Sequence, residues 1–248
     1  MKKAIFALAA CALIFASAAC TCGNRNTKIP DENHDADVVD ECPDGAVDLG
    51  IVMTREDGTT YRLYWAKSNL SEEGLCPNPE DYGDYYAWGE TETKREYSLG
   101  TYKWCKGSGN TFTKYNSDSS FGTVDKKIVL DASDDVAHVK LGGKWRMPTC
   151  EEWTVLREQG VWIRTSQNGV NGYKLTGPNG KSIFLPAAGR RDDGPILGNA
   201  GSHGYYWSSS LGLVNPNYAR RVYFSSFDVY RDFDSLRWLG FSVRPVTE

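Results

Sequence analysis

Cysteines, histidines and carboxylates are the residues from which a catalytic or metal centre is built, and their spacing here builds none. Cys22, Cys42, Cys76, Cys105 and Cys150 follow no zinc-ligand pattern and form an odd set. One or two disulfides among them would suit an oxidising compartment, with no pairing singled out. His34, His138 and His203 share no ligand spacing. There is no P-loop, dinucleotide fingerprint, H-E-x-x-H or G-x-S-x-G motif. Asn215-Pro216-Asn217 lacks the carboxylate that a Ca²⁺ site needs. The expectation is a protein with no catalytic residues, metal or cofactor, which binds and does not react.

The residues suited to binding lie in the last third. After Lys181 there is no Lys, and between Glu158 and Glu248 there is no Glu. Positive charge continues only as Arg190, Arg191, Arg220, Arg221, Arg231, Arg237 and Arg244. Tyr, Ser, Asn, Gly and Arg in such density give contact area and adaptable hydrogen bonds at modest entropic cost. Aromatic and Arg residues dominate interface hot spots. The ranked contacts are therefore Tyr218, Arg220, Tyr223, Phe227, Tyr230, Asp232, Asp234, Arg237 and Trp238.

These side chains must be carried by a scaffold. Val47 to Met53 predicts a strand, Asp57-Gly58 a hairpin turn, and Tyr61 to Ala66 the return strand. Asp81 to Glu90 reads as a buried framework holding Tyr85, Tyr86 and Trp88. Glu96 to Asp125 reads as a long excursion pinned by Tyr102, Trp104, Phe112 and Tyr115. Leu130 to Leu141 predicts a short helix capped by Ser133, with Asp134 and Asp135 in its first turn. Thr149 and Glu152 have capping-box spacing for a second helix that stops at Gly160. Around it Trp145, Met147, Trp153 and Leu156 are expected on one inward face. Two more strands, Tyr173 to Thr176 and Lys181 to Leu185, flank a turn at Pro178-Asn179-Gly180. Tyr205 to Ser209, Ala219 to Ser226 and Phe241 to Val246 are the last three, joined by long polar loops.

The run Trp145-Arg146-Met147-Pro148-Thr149 with Glu152-Trp153 resembles the W-R-(L/M)-P-T-x-x-E-W signature of C-type-lectin-like domains. These are related to the formylglycine-generating family, and the chain is most similar to surface-lipoprotein paralogues of Bacteroidota and Fibrobacter. The resemblance returns at Pro79 to Glu90, Tyr205 to Ser209 and Ser242 to Val246. It implies an α+β, C-type-lectin-like fold of the formylglycine-generating-enzyme-like subtype, with short helices on small antiparallel sheets. It also implies that the early strand pairs with the last, and that Arg244 is structural, pairing with an acid of the 81–84 stretch. The oxidase of that family uses a late cysteine pair; no cysteine follows Cys150, so an inactive relative is the most that resemblance allows. Targets of diversity-generating retroelements share such a fold. They mutate adenines; randomising both adenines of an AAC or AAT codon never yields Lys, Glu, Gln, Met or Trp, and Ser210 to Phe241 fits that set apart from Trp238.

Lys2-Lys3 and the apolar run Ala4 to Ala19 read as a secretory signal, ending in the lipobox-like Ser17-Ala18-Ala19-Cys20. The organisation expected is a signal peptide over 1–19, lipidation at Cys20, a polar tether over 20–43, and one domain over 44–248. The expected location is the outer membrane, held by the lipid anchor at the cell surface. A net charge of -4 without a Lys/Arg stripe argues against nucleic acid. The expected partner is an extracellular protein or glycan; a coat or fimbria-associated subunit is the structural alternative.

Overall fold

The computed structural model describes residues 41–193 and 196–248. The segments expected to be a signal peptide and tether, with Cys20, lie outside the described residues apart from residues 41–43. Residues Glu41–Glu248 form one compact unit. Its class is α+β: small antiparallel sheets with few, short helices.

The domain opens with β1 (Ala46–Thr54) and β2 (Thr60–Ala66), paired antiparallel from Ala46↔Ala66 to Thr54↔Thr60. The Asp57 carboxylate closes the turn by accepting from the Thr59 amide at 2.9 Å, while Gly58 takes φ +84° at open space. Two short pairs of residues follow, β3 (Leu70–Ser71) and β4 (Gly74–Leu75). Tyr85, Tyr86 and Trp88 are then buried as expected, and the excursion is pinned by the buried Tyr102, Phe112 and Tyr115.

The first helix starts later than its sequence predicts. Ala132–Asp134 is a 3-10 turn and α1 is Val136–Leu141. Asp135, not Ser133, is the cap, accepting from the Ala137 and His138 amides at 2.9 and 3.1 Å. It also takes the Met147 amide at 2.8 Å, tying the helix start to the next segment. Asp134 is drawn away to Lys114 and to the Tyr115 hydroxyl, which donates to it at 2.6 Å.

The second helix, α2 (Cys150–Gln159), has the capping box. Thr149 Oγ1 accepts from the Glu152 amide at 3.1 Å, and Glu152 accepts from the Thr149 amide at 2.8 Å. Glu152 is buried and is held bidentately by Arg146 at 2.7 and 2.6 Å, with the Tyr61 hydroxyl at 3.0 Å. Gly160 ends the helix in extended backbone; a Cβ there would sit 2.6 Å from the Leu156 carbonyl. The single inward face is corrected in detail. Trp145 is only half-buried, Met147 joins a different cluster, and Trp153 and Leu156 alone face the first core.

β5 (Val161–Gln167) is a strand the sequence reading passes over. It pairs in register with β6 (Val170–Thr176) around Asn168-Gly169, both at positive φ, and β6 pairs with β7 (Ser182–Pro186). A two-residue pair, β8 (Arg190–Arg191) with β9 (Leu197–Gly198), leads into the last sheet. There β10 (Gly204–Leu211), β11 (Tyr218–Phe224) and β12 (Val229–Leu236) run in that order, with β11 central.

The closing strand β13 (Val246–Thr247) pairs with β2, not β1, through Val246↔Trp65 and Thr247↔Tyr64. The first sheet thus has the order β1-β2-β13. Phe241 and Ser242, expected within that strand, instead make single bridges to Tyr86 and Tyr206.

Trp65 and Trp153, ring centroids 4.6 Å apart, join Leu156, Tyr206 and Phe224 in the core below α2. Trp88, Tyr115, Trp207 and Phe241 form a second cluster behind the last sheet. Tyr85, Tyr97, Tyr102 and Phe112 form a third under the excursion. Arg244 is fully buried, but it pairs with no acid of the 81–84 stretch. Its guanidinium donates to Asn69 Oδ1 and to the carbonyls of Ala66 and Phe184 at 3.0, 3.0 and 2.8 Å. Carbonyls serve because three chain segments converge there and each brings an oxygen without a ladder partner. Cys42, Cys76, Cys105 and Cys150 are free thiols, so no disulfide joins them.

Candidate functional site

The β10-β11-β12 sheet carries four of the nine ranked contacts among the described residues, and a register shift shapes it. In a regular strand, neighbouring side chains leave on opposite faces. Along β11, Ala219, Val222 and Phe224 are buried, whereas both Arg220 and Arg221 stay half-buried, beside a register shift between Arg221 and Tyr223. A bulge of this kind re-aims side chains. Arg220 and Arg221, before the shift, pair with the consecutive residues Asp234 and Phe233 and so leave on opposite faces.

Their surroundings differ. Arg220 lies opposite Asp234 on β12 and forms an ion pair with it at 3.7 Å. Arg221 lies opposite Phe233 and packs among rings, 4.9 Å from the Tyr223 centroid, 5.2 Å from Tyr205 and 5.6 Å from Phe233. Its Nε donates to Ser235 Oγ. Burial pulls the guanidinium down to about 10, against the partial support of the tyrosines' and Asp234's negative potential.

His203, Tyr205 and Tyr223 extend this floor. His203 stacks on Tyr223 at 5.6 Å and on Tyr205 at 6.3 Å, and Tyr205 meets Tyr223 at 5.1 Å. His203 Nδ1 is 2.7 Å from Ser202 Oγ, and Asn199 Nδ2 donates to the Tyr205 hydroxyl at 3.1 Å. Arg190 reaches the Tyr205 ring at 5.4 Å while held by Asp192 at 3.1 Å. Gly204 begins β10 because its register partner Phe224 leaves no room: an added Cβ would fall 2.1 Å from that ring.

Of the sequence-ranked contacts, Tyr223, Arg220 and Asp234 belong to this sheet, and Tyr218 is half-buried at the start of β11. Phe227 stands 92% exposed in the β11–β12 turn, at one end of the sheet. Tyr230 and Asp232 lie on β12, and their side chains are outside the described set. Trp238 is half-buried against the third cluster and stands apart from the ring floor.

Arg237 is corrected outright. It is fully buried, and its guanidinium donates to the Tyr102 hydroxyl and to the carbonyls of Tyr115, Pro216 and Lys114 at 2.9–3.0 Å. Phe112 lies 4.5 Å beneath it. This arginine fastens the excursion to the last sheet and touches no solvent. The sequence ranking omits Arg190, His203, Arg221 and Phe233. The usable signal was local: Arg221 sits next to a ranked arginine, and His203 directly precedes the Gly204-Tyr205 strand start.

Larger hollows lie elsewhere. One of about 480 Å³ is lined by Met53, Arg55, Tyr61 and Glu151 at the hairpin end, and one of about 370 Å³ by Tyr85, Lys94, Tyr97 and Arg191. Among the described residues, no group of three His, Cys, Asp or Glu is placed to hold a metal ion, and no helix is long and apolar enough to cross a membrane. No protein-family model, curated protein or solved structure matches this chain.

Proposed function

We propose that this chain is a lipid-anchored surface protein whose C-type-lectin-like domain recognises an extracellular protein or glycan through its C-terminal sheet. The observation that carries the reading is the partly open floor of His203, Tyr223, Phe233 and Arg221, with Phe227 exposed at its end. Flat rings beside a guanidinium form a surface that binds by stacking and directed hydrogen bonds. Among the described residues of this face, His203 has Ser202 as its side-chain hydrogen-bond partner and forms no nucleophile–base–acid constellation. Variation within Ser210 to Phe241, where a retroelement drives it, would alter side chains such as Tyr223 and Phe227 and spare the buried Arg237.

The test is direct. Mature protein is screened on glycan and host-protein arrays, and each hit is repeated with Tyr223→Ala. Loss of binding with an unchanged melting temperature supports the face; retained binding moves the site elsewhere. Cys20→Ala should release the protein from membranes, and unchanged fractionation would remove the anchor from the proposal. A coat or fimbria-associated subunit is the second reading. It is favoured by β5, an edge strand on which Val161 and Ile163 are 60% and 55% exposed. Purified protein that stays monomeric at high concentration in sedimentation would reject it.

A further inference from the structure

Three arginines of the last third are withdrawn from open water, and two of them are fully provided for. Arg237 donates to a hydroxyl and three carbonyls, and Arg244 to an amide oxygen and two carbonyls. Arg221 is the exception. Among the described residues its Nε donates to Ser235, and its buried Nη1 has no partner. A guanidinium has five N–H donors in a fixed plane, and a buried one left without acceptors is costly. Asp234, whose charge reaches Arg221, is already engaged by Arg220 at 3.7 Å. Asp192 is engaged by Arg190 at 3.1 Å.

The rings around Arg221 hold its plane, and among the described residues none accepts a hydrogen bond from its Nη1. Tyr223 and Phe233 flank it at 4.9 and 5.6 Å, and Phe233, 47% exposed, marks the solvent side of this ring cluster. An arriving acceptor must supply two oxygens in one plane, the geometry of a carboxylate against an Arg fork. The approach crosses the middle of a sheet whose central strand is already hydrogen-bonded on both sides, to β10 and to β12. An extended peptide would find no backbone ladder there. A six-membered sugar ring instead meets flat aromatic surfaces at Tyr223 and His203, with Ser202 and Asn199 supplying hydroxyl-matching groups at the rim.

We infer that the face takes a carboxylated sugar, its carboxylate received by Arg221 and its ring stacked on the Tyr223–His203 pair. The inference rests on the binding face proposed above, and the experiment separates the two. Wild-type mature protein is titrated with carboxylated oligosaccharides and with the same compounds after reduction of each carboxyl to a primary alcohol. A charge-assisted bidentate contact is worth about 10- to 100-fold in Kd, so reduction should weaken binding by at least about tenfold. Arg221→Gln should lose a similar factor for the carboxylated form and nothing for the reduced one. Arg221→Lys should recover part of it. Because the ligand arm uses unaltered protein, misfolding of a variant does not obscure the answer.

Equal affinity for both sugar forms, abolished by Tyr223→Ala, overturns the carboxylate and leaves the face. Binding of acidic peptides but not sugars, dependent on Arg221, overturns the sugar. Binding to neither class, or binding indifferent to both Tyr223 and Arg221, overturns the inference together with the face.

Discussion

Replacing Arg237 by alanine should cost stability and not simply affinity. The guanidinium makes four hydrogen bonds at 2.9–3.0 Å and sits 4.5 Å from Phe112 with no exposure. Hydrogen bonds from charged donors contribute about 1.5–3 kcal/mol each. Their sum overstates the loss, because the variant also escapes a desolvation cost of several kcal/mol. Water entering the vacated space re-satisfies part of the Tyr115, Pro216 and Lys114 carbonyls. The net expectation is a loss of about 3–5 kcal/mol, the range for removing one partner of a buried charged interaction. With a urea m-value of about 2 kcal/mol/M, the midpoint should fall by roughly 2 M. Arg237→Lys should recover little, since one ammonium cannot span a hydroxyl and three separated carbonyls. Urea unfolding followed by tryptophan fluorescence reads this directly. A midpoint within about 0.3 M of wild type, with ligand binding lost, would refute the structural role and return Arg237 to the contact surface.

Three further outcomes follow from the same geometry. Thr149→Ala removes the cap acceptor for the Glu152 amide and should cost about 1 kcal/mol in urea unfolding. Gly204→Ala forces a Cβ into the Phe224 ring and should cost about 1–3 kcal/mol by overpacking, visible as a lower melting temperature. Lys127→Met tests a pH dependence: Lys114 and Lys127 hold the Asp131 carboxylate below its ordinary value through direct bonds. A depressed carboxylate adds stability above its unfolded pKa, near 3.9, which is lost as pH falls through the folded value. The variant should be less stable by under about 1 kcal/mol near neutrality, and the gap should close below pH 4. A gap that widens in acid would reverse the assigned sign.

How much of this was legible in the chain depended on whether one residue type had a single role open to it. Asp57-Gly58 and the Thr149/Glu152 pair are short-range signals that need no tertiary partner, and both elements stand where they were read. The start of α1 was ambiguous because Ser133, Asp134 and Asp135 can all cap; Lys114 and Tyr115 claim Asp134, a choice made by residues about twenty positions away. β5 was missed because Val161 and Ile163 face outward on either side of the half-buried Trp162, erasing the period-two contrast, although Asn168-Gly169 marked the hairpin. Arg237 and Arg221 were indistinguishable by composition. The first lies past β12, facing inward, and the second beside a register shift that defeats counting by twos. Which arginine is buried is a property of the packed sheet, not of the residue type.

The pairing of β13 with β2 also sets the order in which this domain can be completed. Val246 meets Trp65 across some 180 residues, so the first hairpin keeps an open edge until the last segment arrives. Loop closure over such a span is entropically slow, and folds dominated by distant pairings fold in milliseconds to seconds. A chain emerging from its N-terminus would therefore hold an unfinished sheet, with the β2 edge unpaired at Tyr64 and Trp65, through almost the whole of its synthesis. Helper proteins that shield exposed strand edges would act during that interval, and losing only the β13 residues should leave the hairpin sheet unclosed.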